Sequence, residues 1–292
     1  MKDARNIGHS VYSKLLNISK TQKEDFSYVL NRYGTERFLY RLSISKYCSE
    51  FILKGGSLFL VWQKNSFRVT RDTDLLGIRY YDSESLIKIF KDICSVEVAQ
   101  DDGVSFLPEK VAGVPIRPEI DNGGYRIKLD GKLHSAKISL QIDIGFGDIV
   151  VPVPENVRYP VLLEFETPVL NAYTRYSVFA EKLEAIVQLG MVNSRIKDFY
   201  DLWVLKNSFD FDVDILEKAI METFKRRNTE LPEDTPVAFT PVFYDDFQKK
   251  AQWKAFVRKT KAEAENLSFP EIVAEISNFI LPLLISIKEN NK

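Results

Sequence analysis

Lys54-Gly55-Gly56-Ser57, followed by Arg71-Asp72-Thr73-Asp74, is the stretch on which the reading of this chain turns. A glycine pair lets the backbone turn tightly beside a phosphate, and Ser57 adds a hydroxyl donor. Asp72 and Asp74 follow one residue apart. On an extended segment, residues i and i+2 share a face, so the two carboxylates converge on one point. Convergent hard oxygen ligands beside a phosphate cradle suit Mg²⁺-assisted phosphoryl chemistry. Each feature alone arises often; in this order and spacing they support one another.

Outward from this stretch, residues 21–48 read as two helices, with Thr21-Gln22-Lys23-Glu24 as a capping box and Gly34 or Thr35 as the break. Residues 57–63 open a helix whose first amides would face a bound anion. Residues 67–80 alternate as a strand or strand pair carrying the two aspartates, and 83–93 form an amphipathic helix. From 96 to 153 the pattern is β-rich, with Gly123-Gly124 and Gly131 as turn signals. Ile138, Leu140, Ile142 and Ile144 alternate with Lys137, Ser139, Gln141 and Asp143, which places Asp143 on the polar face of a strand. Pro152, Pro154, Pro160 and Pro168 mark a change of architecture. Helices follow at 174–190, 194–207, 212–226, 242–264 and 269–288. The expectation is an α/β fold, a mixed sheet with flanking helices, followed by an all-helical C-terminal domain. The boundary falls between 1–165 and 166–292.

The 292 residues are 45% hydrophobic and 28% charged, ordinary values for a globular protein. A formal net charge of −1 gives no global footprint for nucleic acid, so any such contact must be a local patch. Cys48 and Cys94 form no framework pattern and suit a reducing compartment. The presence of only two histidines, His9 and His134, argues against a histidine-rich metal site or a Ser-His-Asp triad. The first ten residues lack the apolar run of a signal peptide. The apolar segment 276–287 is too short for a membrane span, for which roughly 18 residues are needed, and reads as a packed helix. A soluble cytoplasmic protein without membrane contact is expected.

Three carboxylates on adjacent strands are the usual way to hold metal ions at a triphosphate. Asp72, Asp74 and Asp143 meet that need if their strands pair. Four blocks then carry a resemblance: LKGGS (53–57) with TRDTD (70–74), QIDIGFGD (141–148), FAEKLEAI (179–186) and RIKDFYDL (195–202). With QWKAF inside 247–258, the chain resembles the AbiEii/AbiGii family of nucleotidyltransferase-like toxins over residues 50–260. The resemblance implies a nucleotidyltransferase core with an appended helical domain that contributes Lys182 and Asp198 to the cleft. It further implies Mg²⁺, a nucleoside triphosphate, RNA (a tRNA 3′ end) as acceptor, and a cognate antitoxin.

Residue by residue, the resemblance assigns Gly55, Gly56 and Ser57 to the phosphate cradle. Asp72, Asp74 and Asp143 become metal ligands. Lys182 becomes the nucleotide-phosphate contact, and Asp198 the acidic residue of the last motif. Asp198 either holds Lys182 or orients a substrate hydroxyl; with Arg195 and Asp201 it also fits a salt-bridged helix face. Thr70 shares the face of Asp72 and matches a position phosphorylated in some relatives, where a phosphate would compete for the metal. Lys250, Lys254 and Arg258 recur at i, i+4, i+8 and form one basic stripe, either an RNA contact or a solvated face. Two other functions remain: transfer to a protein or small-molecule hydroxyl, and a catalytically silent protein that binds nucleotide or a partner.

Overall fold

The computed structural model describes residues 7–62, 72–116, 123–260 and 267–290. It forms two compact units, Met1–Gly147 with Glu155–Ala172, and Asp148–Pro154 with Tyr173–Lys292.

The first unit begins with α1 (Ile7–Gln22) and α2 (Phe26–Ser43). The expected break at Gly34 or Thr35 does not occur, and residues 21–24 end a helix instead of starting one. The chain turns at Lys23, whose φ is 53°, and Asp25 caps α2 by accepting from the amides of Ser27 (2.8 Å) and Tyr28 (3.3 Å). Gly34 sits mid-helix for a packing reason. A Cβ there would lie 2.6 Å from Cγ2 of Ile138, so α2 can approach the sheet only because no Cβ exists. The same helix buries Arg37 and Arg41. Arg41 grips Asp102 with two hydrogen bonds of 2.8 and 3.1 Å, and Arg37 donates to the Glu166 carbonyl at 2.9 Å.

The strands are β1 (Phe51–Lys54), β2 (Thr73–Gly77), β3 (Val104–Phe106), β4 (Ala112–Pro115), β5 (Tyr125–Leu133), β6 (Ala136–Phe146), β7 (Glu155–Arg158) and β8 (Val169–Ala172). Short α3 (Leu58–Trp62) precedes β2, and α4 (Ser83–Cys94) follows it, capped by Asp82. Among the described residues the eight strands form one mixed sheet in the order β3-β5-β6-β2-β1-β8-β7, with β4 also on β5. The strand β2 runs antiparallel to β1 and parallel to β6. As the alternation predicts, Ile138, Leu140, Ile142 and Ile144 are buried while the intervening polar residues face outward. Gly131 is not the turn between β5 and β6. It lies within β5 opposite Ile138, and the chain reverses at His134, whose φ is 52°.

The second unit is helical: α5 (Arg175–Leu189), α6 (Ile196–Ser208), α7 (Val213–Arg226), α8 (Pro241–Tyr244), α9 (Phe247–Thr260) and α10 (Phe269–Asn290). The single helix expected over 242–264 is divided, because Asp246 accepts from the amides of Gln248 (2.9 Å) and Lys249 (3.0 Å) and so starts a new helix. The core includes Phe199, Phe243, Trp253 and Phe269, with Trp253 stacked on Phe269 at 5.6 Å between centroids. Among the described residues α10 is the one helix long and apolar enough to cross a membrane. It buries Ile272, Ile276, Ile280, Leu284 and Ile287, and it packs against α6 and α7.

Gly34→Ala tests the helix–sheet packing. Alanine gains about 1 kcal/mol of helix propensity. Overpacking costs roughly 1–3 kcal/mol. A lowered urea midpoint is expected; a raised one would show that Gly34 is not a packing requirement.

Candidate active site

The candidate site on the sheet is built where β1, β2, β6 and β5 lie side by side. Leaving β1, the chain enters a tight turn at Gly55-Gly56-Ser57, where Gly55 has φ 74°. A Cβ at Gly55 would collide with the Asp74 carboxylate, so glycine is required here both by the backbone and by the neighbouring acid. Ser57 is buried, and its hydroxyl donates to the Lys54 carbonyl at 3.2 Å. The Leu58 amide likewise turns back to the carbonyls of Gly55 and Gly56. The turn is thus closed on itself and lies directly against Asp74.

Asp72 precedes β2 and is exposed, whereas Asp74 is half-buried within it. Because β2 and β6 are parallel and in register, Asp74 lies beside Asp143, a strand spacing of about 4.8 Å apart. Gln141, two residues before Asp143, donates to Asp72 at 3.1 Å and ties the third carboxylate to the same face. The structure therefore sets Asp74 beside Asp143 and against Gly55, and joins Asp72 to Gln141 of the neighbouring strand. Thr70 lies outside the described residues.

The sequence reading missed Arg126. It sits on β5 directly opposite Asp143, and its Nε and Nη2 donate to the two Asp143 carboxylate oxygens, each at 2.8 Å. The hydrogen bond to Asp143 raises the Arg126 pKa above the usual arginine value, with further help from the charges of Asp143, Asp72 and Asp74. The signal was present in the alternation of β5, which puts Arg126, Lys128, Asp130 and Lys132 on its polar face. It was hidden because the turn, and hence the register of β5 on β6, was misplaced.

The donor set suits a hard divalent cation such as Mg²⁺, being carboxylate oxygen throughout. The Gly55 turn leaves space at Asp74 that any side chain would fill. Among the described residues no three His, Cys, Asp or Glu side chains are gathered as a metal-holding group. Asp143 instead gives both oxygens to Arg126.

In the helical unit, Lys182 on α5 meets two carboxylates of α6. Its Nζ donates to Asp198 at 3.0 Å and also to Asp201, and all three side chains are buried. Arg195 closes on the other Asp198 oxygen at 2.6 Å. Asp198 and Asp201 are three residues apart, so one helix face presents both to Lys182. Of the two roles open for Asp198, contact with Lys182 is the one the geometry displays. Asp148, the last residue of the 141–148 block, pairs with Arg227 at 3.2 Å. Lys250, Lys254 and Arg258 are exposed along α9, Lys250 pairing with Asp245 at 2.7 Å.

A family model described as "Nucleotidyl transferase AbiEii toxin, Type IV TA system" matches residues 37–275. No curated protein matches. Among solved structures, JHP933 from Helicobacter pylori is 11% identical with a TM-score of 0.49, over 87% of this chain and 90% of that one. A second H. pylori protein, provisionally named a nucleotidyltransferase, is 13% identical with a TM-score of 0.48, over 87% and 92%.

Two substitutions test this geometry. Gly55→Ala is expected to cost at least about 1–2 kcal/mol from the left-handed backbone alone, read by chemical denaturation. Lys182→Ala strands two buried carboxylates and should cost about 3–5 kcal/mol. An unchanged denaturation midpoint in the Lys182 variant would mean that these carboxylates are not held by its charge.

Proposed function

This chain belongs to the AbiEii family of nucleotidyl transferase toxins of type IV toxin–antitoxin systems, and from that premise we propose a specific reaction for it. It transfers a nucleotide from a nucleoside triphosphate to a hydroxyl of RNA, with a tRNA 3′ end as the acceptor, and uses Mg²⁺. Attack is in line on the α-phosphorus, and pyrophosphate leaves.

The observation that carries the reading is the registered pair Asp74 and Asp143, with Asp72 tied to the same face by Gln141. Bound Mg²⁺ would neutralise triphosphate charge and activate the attacking hydroxyl. In this reading Asp72, Asp74 and Asp143 supply its ligands. The Gly55-Gly56-Ser57 turn lets the backbone come close to the phosphates. Lys182 serves the triphosphate as a fixed positive charge, and Asp198 and Asp201 hold its ammonium in place. Lys250, Lys254 and Arg258 suit contact with an RNA backbone, since their exposure along one helix presents a row of cations. Thr70 remains the candidate for regulation by phosphorylation. The cytoplasm is the compartment in which triphosphates, tRNA and a cognate antitoxin would meet the protein. The domain division proposed from sequence, 1–165 as core and 166–292 as helical domain, assigns the carboxylates to the first and Lys182 to the second.

The test is to incubate the protein with Mg²⁺, each α-³²P-labelled nucleoside triphosphate in turn, and total bacterial RNA. Label should enter a tRNA-sized band. Asp74→Ala should reduce the rate by at least about a thousandfold, the equivalent of roughly 4 kcal/mol of transition-state stabilisation. Label in protein instead of RNA would replace the acceptor, and undiminished transfer by Asp74→Ala would remove the metal assignment.

A further inference from the structure

The sheet face holds three carboxylates and, in contact with one of them, a cation that the proposed reaction leaves without a role. Arg126 meets Asp143 side-on, with two parallel hydrogen bonds of 2.8 Å. This is the geometry in which a guanidinium binds a carboxylate most firmly. The pair is only partly exposed, 37% at the Arg126 side chain and 19% at Asp143. Asp72 and Asp74 act on the same guanidinium through their charge. A guanidinium stays charged at any physiological pH, so Arg126 is a permanent counter-charge within the carboxylate group.

A divalent cation at Asp74 and Asp143 would bind an Asp143 oxygen that already accepts from Arg126. Each carboxylate oxygen keeps a second lone pair, but the two positive charges would repel across it at this range. We propose that Arg126 is a resident counter-cation of the carboxylate site: it keeps Asp143 aligned beside Asp74 without metal, and a divalent cation binds there against its charge. It is a positioning residue that acts through Asp143. The inference rests on the reading of Asp72, Asp74 and Asp143 as metal ligands given above. Its consequence is that metal alone binds more weakly than it would to the same carboxylates without Arg126. Arg126 thereby sets how much metal the protein takes up before any nucleotide arrives.

The experiment measures Mn²⁺ binding to the full chain without nucleotide, by calorimetry and by the electron-spin signal of free Mn²⁺. It compares the native protein, Arg126→Gln, Arg126→Lys and Asp74→Asn. Arg126→Gln should bind Mn²⁺ about tenfold more tightly than the native protein, the scale on which one neighbouring charge acts at a partly exposed site. Arg126→Lys, which keeps the charge but loses the two-point grip, should fall between them. The melting temperature of Arg126→Gln should be lower than native in EDTA and should rise on adding Mn²⁺. Unchanged or weaker Mn²⁺ binding in Arg126→Gln would overturn the proposal and make Arg126 a fixed strut. If Arg126→Gln does not fold even with Mn²⁺, Arg126→Lys decides by the same criterion. Asp74→Asn separates the two levels. If it binds Mn²⁺ as the native protein does, the carboxylate reading itself has failed; if it loses binding while Arg126→Gln shows no gain, only the role of Arg126 has.

Discussion

The parallel pairing of β2 with β6 sets Asp74 against Asp143, and the chemistry available to the first unit depends on that register. Slipping either strand by one residue would turn a whole set of side chains to the opposite face, burying carboxylates and exposing Leu75 or Ile142. The register is held from both sides. The strand β1 pairs antiparallel with β2, bringing Lys54 opposite Asp74, and β5 pairs with β6 along its full length, bringing Arg126 opposite Asp143. Beneath, Ile138 and Leu140 accept α2 at Gly34, so the apolar face fixes which residues the polar face can show.

Charge is handled differently in the two units. On the sheet, the carboxylates are partly solvated, and mutual repulsion is relieved by Arg126 and by the amide of Gln141. In the helical unit, Lys182, Asp198 and Asp201 are buried, where an uncompensated charge is costly and a matched set is tolerated. Arg195 brings a second positive charge to Asp198, so two cations face two anions. Removing one member of the set would leave the others buried and unmatched.

The readings that failed share a physical cause. Gly34 looks like a helix breaker because glycine has low helix propensity, yet the close approach of α2 to β6 outweighs that local preference. Gly131 looks like a turn, but the reversal falls at His134, which has a positive φ that glycine adopts more readily. From that error followed another. With the turn placed at Gly131, Arg126 has no partner; with it at His134, counting back along both strands brings Arg126 to Asp143. The split between α8 and α9 was marked by Asp245-Asp246, and the cap at Asp246 was the part not read.

The sequence by itself determined the class of fold and the alternation that puts Asp143 on a polar face. Those follow from the period of a strand or helix, which is a local property of the backbone. The family blocks were legible for a related reason, since each is a short run whose residue types are needed together. Tertiary structure alone decided that Gly55 must be glycine because Asp74 lies against it. It also decided that Arg126 grips Asp143, and that Lys182 is shared by Asp198 and Asp201. These contacts join residues far apart in the chain, and their pairing is set by strand register and helix packing, which no local pattern encodes.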